Sequence, residues 1–142
     1  MPRPLIVIDT NVIVAGLRSK RGWSHELLAR IGGESFDHCV SVPLLCEYED
    51  VLKRMATALG LDLAEIDTLL NLWCDAGQKS LIYFQIGPTE ADPGDTKVLE
   101  LAVAARADFI VSFNKRHFPE AERFGIKVLT PIEFFAEIAT AP

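Results

Sequence analysis

The feature that most constrains this chain is the run Leu5-Ile6-Val7-Ile8, which ends directly in Asp9. A strand with no polar alternation is covered on both faces, as in the interior of a parallel sheet. Parallel neighbours cannot be joined by a hairpin, so the chain must return each time through a crossover, usually a helix. The rest of the sequence meets that demand. Trp23 to Ile31 has helical spacing and is stopped by Gly32-Gly33. A short strand follows around Cys39-Val40-Ser41, then a helix from about Pro43 to Ala58. Asp62 suits the N-cap of another helix, ending near Asp75-Ala76-Gly77. Ser80 to Phe84 reads as a strand, and Asp92-Pro93 opens a helix that runs to about Ala107. Phe109-Ile110-Val111-Ser112 is a second buried-strand run and Lys127-Val128-Leu129 a short one. Thr130-Pro131-Ile132-Glu133 is a capping box with proline in the first helical position. The expected architecture is α/β, a central and mostly parallel sheet with helices on both faces. With no internal repeat, long linker or break in composition, residues 1–142 read as one domain.

Several function classes fall away on composition. A net charge of -6, from 14 Lys+Arg against 20 Asp+Glu, does not fit the broad basic face of a general DNA coater. It leaves room for a nucleic-acid enzyme, because clustered metal-binding carboxylates themselves make a chain acidic. No apolar run approaches the roughly 18–20 residues of a membrane span. The apolar stretch before Asp9 is also shorter than the core of a signal peptide. Three cysteines without a C-x-x-C pair indicate neither a disulfide framework nor a zinc site, so a reducing cytoplasm is the expected location.

In an open parallel sheet, ligands collect outside the carboxyl ends of the strands. Asp9 follows the first strand at once, in Asp9-Thr10-Asn11. In the helix near Pro43, Leu44, Tyr48, Val51, Leu52 and Met55 form the apolar stripe, and Glu47 projects along its edge. Asp92 and Asp95 flank the start of a later helix, with Asp95 on the face of Val98, Leu99 and Ala102. Ser112 and Asn114 close the second buried strand. Each residue has a plainer reading: Asp9 as a cap, Glu47 as a half-covered partner for Arg54, Asp92 and Asp95 as N-cap and N3, Asn114 as a turn former. Their joint placement is less expected by chance. Carboxylates that converge without a cation repel each other and lose hydration, and a hard divalent ion such as Mg²⁺ resolves that conflict.

These residues resemble the PIN domain, in particular the small bacterial and archaeal toxin ribonucleases of the VapC-like type. The matching elements are strand-IDTNV at 8–12, SVPLLCEYEDVL at 41–52, DPGDTKVLELAVAARADFIVSFNKRHFP at 92–119 and VLTPIEFF at 128–135. The resemblance implies Asp9, Glu47 and Asp95 as metal-binding acids, with Asn11 orienting Asp9 and Asp92 as the extra acid of the D-P-x-D form. Asn114 stands where many members carry a fourth acid, and an amide there supplies no charge. Ser112 falls where Thr or Ser is common and is placed to orient the scissile phosphate or the water. The implied reaction is Mg²⁺- or Mn²⁺-assisted hydrolysis of an RNA phosphodiester. An antitoxin protein encoded by an adjacent gene and a homodimer are the implied partners.

Arg18, Lys20 and Arg21 make one basic patch, and Lys115 and Arg116 beside His117 make another. Both are expected near the strand ends, in reach of RNA phosphates. Spare apolar surface at Trp23, Trp73 and Phe134-Phe135 is the expected dimer contact. A phosphoacceptor receiver would need an acidic pair after the first strand, and a haloacid-dehalogenase phosphatase would need D-x-D where Asn11 stands. The serious alternative is a PIN fold retained for RNA binding or assembly with little or no cleavage, favoured by Asn114 and opposed by the triad of Asp9, Glu47 and Asp95.

Overall fold

The computed structural model describes residues 3–80 and 93–139, the side chains of residues 93–95 excepted. Five strands form one sheet in the order β3-β2-β1-β4-β5, every pairing parallel. They are β1 (Leu5–Ile8), β2 (Asp37–Val40), β3 (Gln78–Lys79), β4 (Phe109–Val111) and β5 (Lys127–Leu129). The unbroken apolar run is explained by position. β1 sits in the middle of the sheet, in register with β4 from Ile6↔Phe109 to Ile8↔Val111, and Ile6, Val7 and Ile8 are buried. The Ser80–Phe84 expectation begins slightly late. β3 pairs over Gln78–Lys79, Ser80 N–H still donates to Val40 at 3.0 Å, and residues 81–84 lie outside the described part.

Seven α-helices occur among the described residues: α1 (Thr10–Arg18), α2 (Trp23–Ala29), α3 (Val42–Arg54), α4 (Ala56–Leu59), α5 (Leu63–Ala76), α6 (Pro93–Ala105) and α7 (Pro131–Ala139). Local chemistry sets their ends. Ser41 caps α3 by accepting from Leu44 N–H at 3.3 Å. Asp62 and Glu65 close a reciprocal box on α5, and Thr130 with Glu133 does the same for α7. The helix expected from Pro43 to Ala58 breaks at Met55, where the chain leaves helical geometry for one residue before α4 and then stops at left-handed Gly60. Neither glycine nor proline at Met55 marks that break in the sequence. Gly16 lets α1 and α2 approach closely: a Cβ there would come within 2.5 Å of Leu28 Cδ1.

The core joins β1, β2 and β4 to α6, and α3 packs against α1, α5 and α6. Phe134 makes edge contacts with Phe36 and Phe109, and Tyr48 makes one with Trp73. Here one expectation is corrected. Trp73, Phe134 and Phe135 are core residues at 2%, 0% and 7% exposure, so they offer no spare surface to a second copy. The large aromatics fill the gaps between sheet and helices, a use that composition does not separate from an interface. Of that group only Trp23 is exposed, leaning on Phe135 at a ring distance of 5.1 Å. Among the described residues, no helix is long and apolar enough to cross a membrane.

Candidate active site

From β1 the sheet grows one way through β2 and β3, then the other way through β4 and β5. The order therefore reverses between β1 and β4, and the crevice at their carboxyl ends is the natural ligand position in such a sheet. Asp9 and Ser112 occupy it, one residue past β1 and β4 respectively. Backbone bonds tie both ends down: Asp9 N–H donates to Val111 at 3.0 Å and Ser112 N–H to Leu129 at 2.9 Å.

The polar side chains here are buried and bonded to one another. Asp9 is 5% exposed, Thr10 8% and Ser112 0%. Asp9 Oδ1 accepts from Thr10 N–H at 2.8 Å, and Oδ2 accepts from Ser112 Oγ at 2.7 Å. The direction of the second bond follows from the serine's other partners. Ser112 Oγ accepts from Asn114 N–H at 3.0 Å and from the Asn11 amide at 3.4 Å, so its single proton goes to the carboxylate. Asn11 thus bears on Asp9 through Ser112, while its Oδ1 accepts from Phe113 N–H at 3.4 Å.

Glu47 reaches the same place from α3. Its Oε2 accepts from Thr10 Oγ1 at 2.5 Å, within the short range of hydroxyl bonds to an ionised carboxylate. The plainer pairing of Glu47 with Arg54 is not formed. Arg54 holds Asp50 at 2.9 Å, and Lys53 bridges Glu49 and Asp67 at 3.0 and 2.9 Å. The helix presents these charges to solvent and turns Glu47 towards β1.

Tyr48, the next residue, fastens that turn of α3 to the strand. Its buried hydroxyl donates to the carbonyl of Ile8, the residue before Asp9. Burial pushes the phenol well above its ordinary range, and the neighbouring carboxylates of Asp9 and Glu47 push it the same way. It keeps its proton and stays a hydrogen-bond donor, and its surroundings place both acids beside one buried group.

The remaining expected residues are distributed unequally. Asp95 is the third residue of α6, a helix packed against β1, β2 and β4; its side chain lies outside the described part, as does all of Asp92. Asn114 is half-buried and leads into a 3-10 turn at Lys115–His117. Exposed Lys115 is paired with Glu133 at 2.5 Å, and Arg116 is exposed beside it. The first basic patch falls further from the strand ends than expected. The segment after Asp9 is a helix of nine residues, which carries Arg18 about 12 Å along its axis, with Lys20 and Arg21 beyond it. All three are exposed.

Thr10 and Tyr48 are the site residues that the sequence reading passed over. The available signal was position alone: a hydroxyl next to Asp9 and a phenol next to Glu47. The donor set is entirely oxygen, which suits a hard divalent cation and not a soft one. Among the described residues, no three His, Cys, Asp or Glu side chains gather into a metal site.

Residues 5–116 match the PIN domain family, a span that holds every residue of this cluster. The chain belongs to the PIN-domain family. Among solved structures, this PIN domain is similar to VapBC2 from Rickettsia felis, described in a crystal structure bound to a DNA fragment from their promoter. The likeness has a TM-score of 0.60 at 14% identity and covers 89% of this chain and 98% of that one. At that identity it speaks for the fold. No curated protein matches the sequence.

Proposed function

We propose that this PIN-domain protein is a metal-dependent endoribonuclease, the toxin of a toxin–antitoxin pair of the VapC-like kind. One observation carries the reading. Asp9 and Glu47 come from separate elements, 38 positions apart, and are brought to the sheet's switch point by two buried hydroxyls, Ser112 and Thr10. A structural cap needs neither the second acid nor the second hydroxyl. The likeness to VapBC2 supports the toxin assignment and an antitoxin partner at the level of the fold.

In this reading Asp9, Glu47 and Asp95 hold Mg²⁺ or Mn²⁺ through oxygen. When bound, the ion supplies an activated water and neutralises charge on the phosphate being cleaved. Ser112 keeps Oδ2 of Asp9 turned to a fixed direction, and Thr10 does the same for Glu47. An acid of the set would accept the proton of the attacking water. The Asn114 amide would meet the substrate without adding charge. Arg116, together with Lys115 once released from Glu133, holds flanking phosphates. Trp23 and Arg18 to Arg21 are too far along α1 and α2 to act at the scissile bond and would meet RNA, if at all, at a distance.

The test is cleavage of a structured RNA pool by the purified chain with Mg²⁺ or Mn²⁺, and with excess EDTA. Divalent-dependent cleavage is expected. Cleavage that persists in EDTA would remove the metal, and RNA binding without cleavage under either ion would leave the assembly role implied by Asn114. Co-expression with the product of the adjacent gene is expected to give a complex that no longer cleaves. Light scattering checks the homodimer implied by the resemblance, for which Trp23 is the exposed aromatic that remains.

A further inference from the structure

On the outer side of the turn that carries Glu47 and Tyr48, α3 and α5 leave a groove of about 220 Å³ lined by Val42, Leu45, Cys46, Glu49, Leu70, Asn71 and Cys74. Two of the three cysteines therefore meet in one place, although 28 positions separate them in sequence. The register of the two helices explains why. Lys53 of α3 pairs with Asp67 of α5 at 2.9 Å, and Tyr48 meets Trp73 edge-on, so the helices run antiparallel. Seven residues, about two turns, separate Lys53 from Cys46 and Asp67 from Cys74, which sets the thiols across the seam from each other.

We propose that Cys46 and Cys74 form a redox-active dithiol that closes to an intrachain disulfide under peroxide. Packed helix axes lie about 8–10 Å apart and Cα atoms about 2.3 Å from each axis, so residues facing across a seam come near the roughly 4.4–6.8 Å that a disulfide spans between Cα atoms. Cys74 lies in the last turn of α5, an end held by the bond from Gly77 N–H to Cys74 O and by the buried His38 ring bonded to Trp73 O at 2.8 Å. Cys46 is exposed and Cys74 partly so, whereas Cys39 is buried on β2 with its thiol donating to Ile6 O at 3.3 Å, and burial raises that thiol to about 12. Cys39 is the internal control.

The chemistry balances with hydrogen peroxide as oxidant. Cys46 Sγ attacks one peroxide oxygen, the O–O bond breaks, and the displaced oxygen leaves as water with the thiol proton. The product is a sulfenic acid at Cys46. Cys74 Sγ then attacks that sulfur, the S–O bond breaks, and hydroxide leaves as a second water with the proton of Cys74. Two thiols are oxidised and one peroxide is reduced. The bridge would tie the turn bearing Glu47 to α5, directly outside the Tyr48–Trp73 contact.

The experiment treats the fully reduced chain with hydrogen peroxide and counts thiols, with mass spectrometry of proteolytic fragments to locate any cross-link. Expected is a fall from three free thiols to one, a Cys46–Cys74 cross-link within one chain, reversal by a dithiol reductant, and no cross-link in Cys46→Ser or Cys74→Ser. Three thiols retained, a covalent dimer on a non-reducing gel, or irreversible oxidation confined to Cys46 would each overturn the proposal. None of these readouts depends on nuclease activity, so the result stands apart from the proposed function.

Discussion

The two ends of the sheet are built on different terms. At the amino end, a groove of about 660 Å³ is lined by Arg106, Asp108, Phe109, Phe124, Lys127 and Glu137, among others. Its polar groups do ordinary work: Asp108 accepts from Leu5 N–H at 2.9 Å, and Lys127 pairs with Glu137 at 3.0 Å, both in the open. At the carboxyl end the polar groups are buried instead, with Asp9, Thr10 and Ser112 all below a tenth exposed and bonded in series to Glu47. Burying a polar group is costly unless its partners are supplied, and here the fold supplies them. An open groove alone therefore does not mark the chemistry; the satisfied, buried polar groups do.

Asp9→Asn bears on that contrast most strongly. It keeps the shape of the cap and removes one charge, so cleavage should fall by more than the roughly 10–100-fold that loss of an outer-shell partner costs. The melting temperature with Mg²⁺ or Mn²⁺ should rise less than in the wild type, because an ion that binds only the native state stabilises it. The metal-free variant should be as stable as the parent or more so. Retained cleavage with an unchanged metal response would reduce Asp9 to a cap.

Ser112→Ala removes the hydroxyl that holds Oδ2 of Asp9. A loss of about 10–100-fold in metal affinity or cleavage is expected, with the sheet intact. Titrating Mg²⁺ in the cleavage assay separates the two, since a residue that only fills space would leave the metal midpoint where it was. Ser112→Thr, which keeps a hydroxyl, should recover part of the loss.

At the opposite end, Arg106→Gly should do the reverse. Arg106 has φ 56°, a left-handed conformation that a side chain resists and glycine accepts. The variant should gain about 0.5–1 kcal/mol in a denaturant melt and cleave RNA at the parent rate. A change in cleavage would mean that the two ends are coupled.

The smallest effect concerns acid. Hydrogen bonds from Lys115, and then from Thr130 N–H, hold the Glu133 carboxyl below its ordinary value of 4.5. A depressed carboxylate contributes stability that is present above the unfolded value and is lost as pH falls through the folded one. Because the pair is exposed, Glu133→Gln should flatten the stability curve below 4.5 only slightly, and less still in high salt.

Much of this was legible beforehand where local chemistry decides. β5 and the box at Thr130 and Glu133 follow from residues close in sequence, and the buried run of β1 from its lack of alternation. The pointing of Glu47 was legible too, as an edge position on a helix with a clear stripe. What could not be read were matters of partner choice across the fold. Tyr48 could have packed as another apolar residue, and only the arrival of β1 makes its hydroxyl a clamp on Ile8. Trp73 and Phe134 read equally well as surface and as core until helices and sheet close on them. Arg18 seemed close to Asp9 because nothing marked the intervening residues as a full helix.

The bond between Ser112 and Asp9 joins residues 103 positions apart, between the first strand made and the fourth. Contacts that distant in sequence form late, after the intervening loop entropy has been met. During synthesis Asp9 is made early but has no Ser112 beside it until another 103 residues have been added. Under the proposed function, the acid at the end of the first strand would go without its orienting hydroxyl for most of the chain's translation.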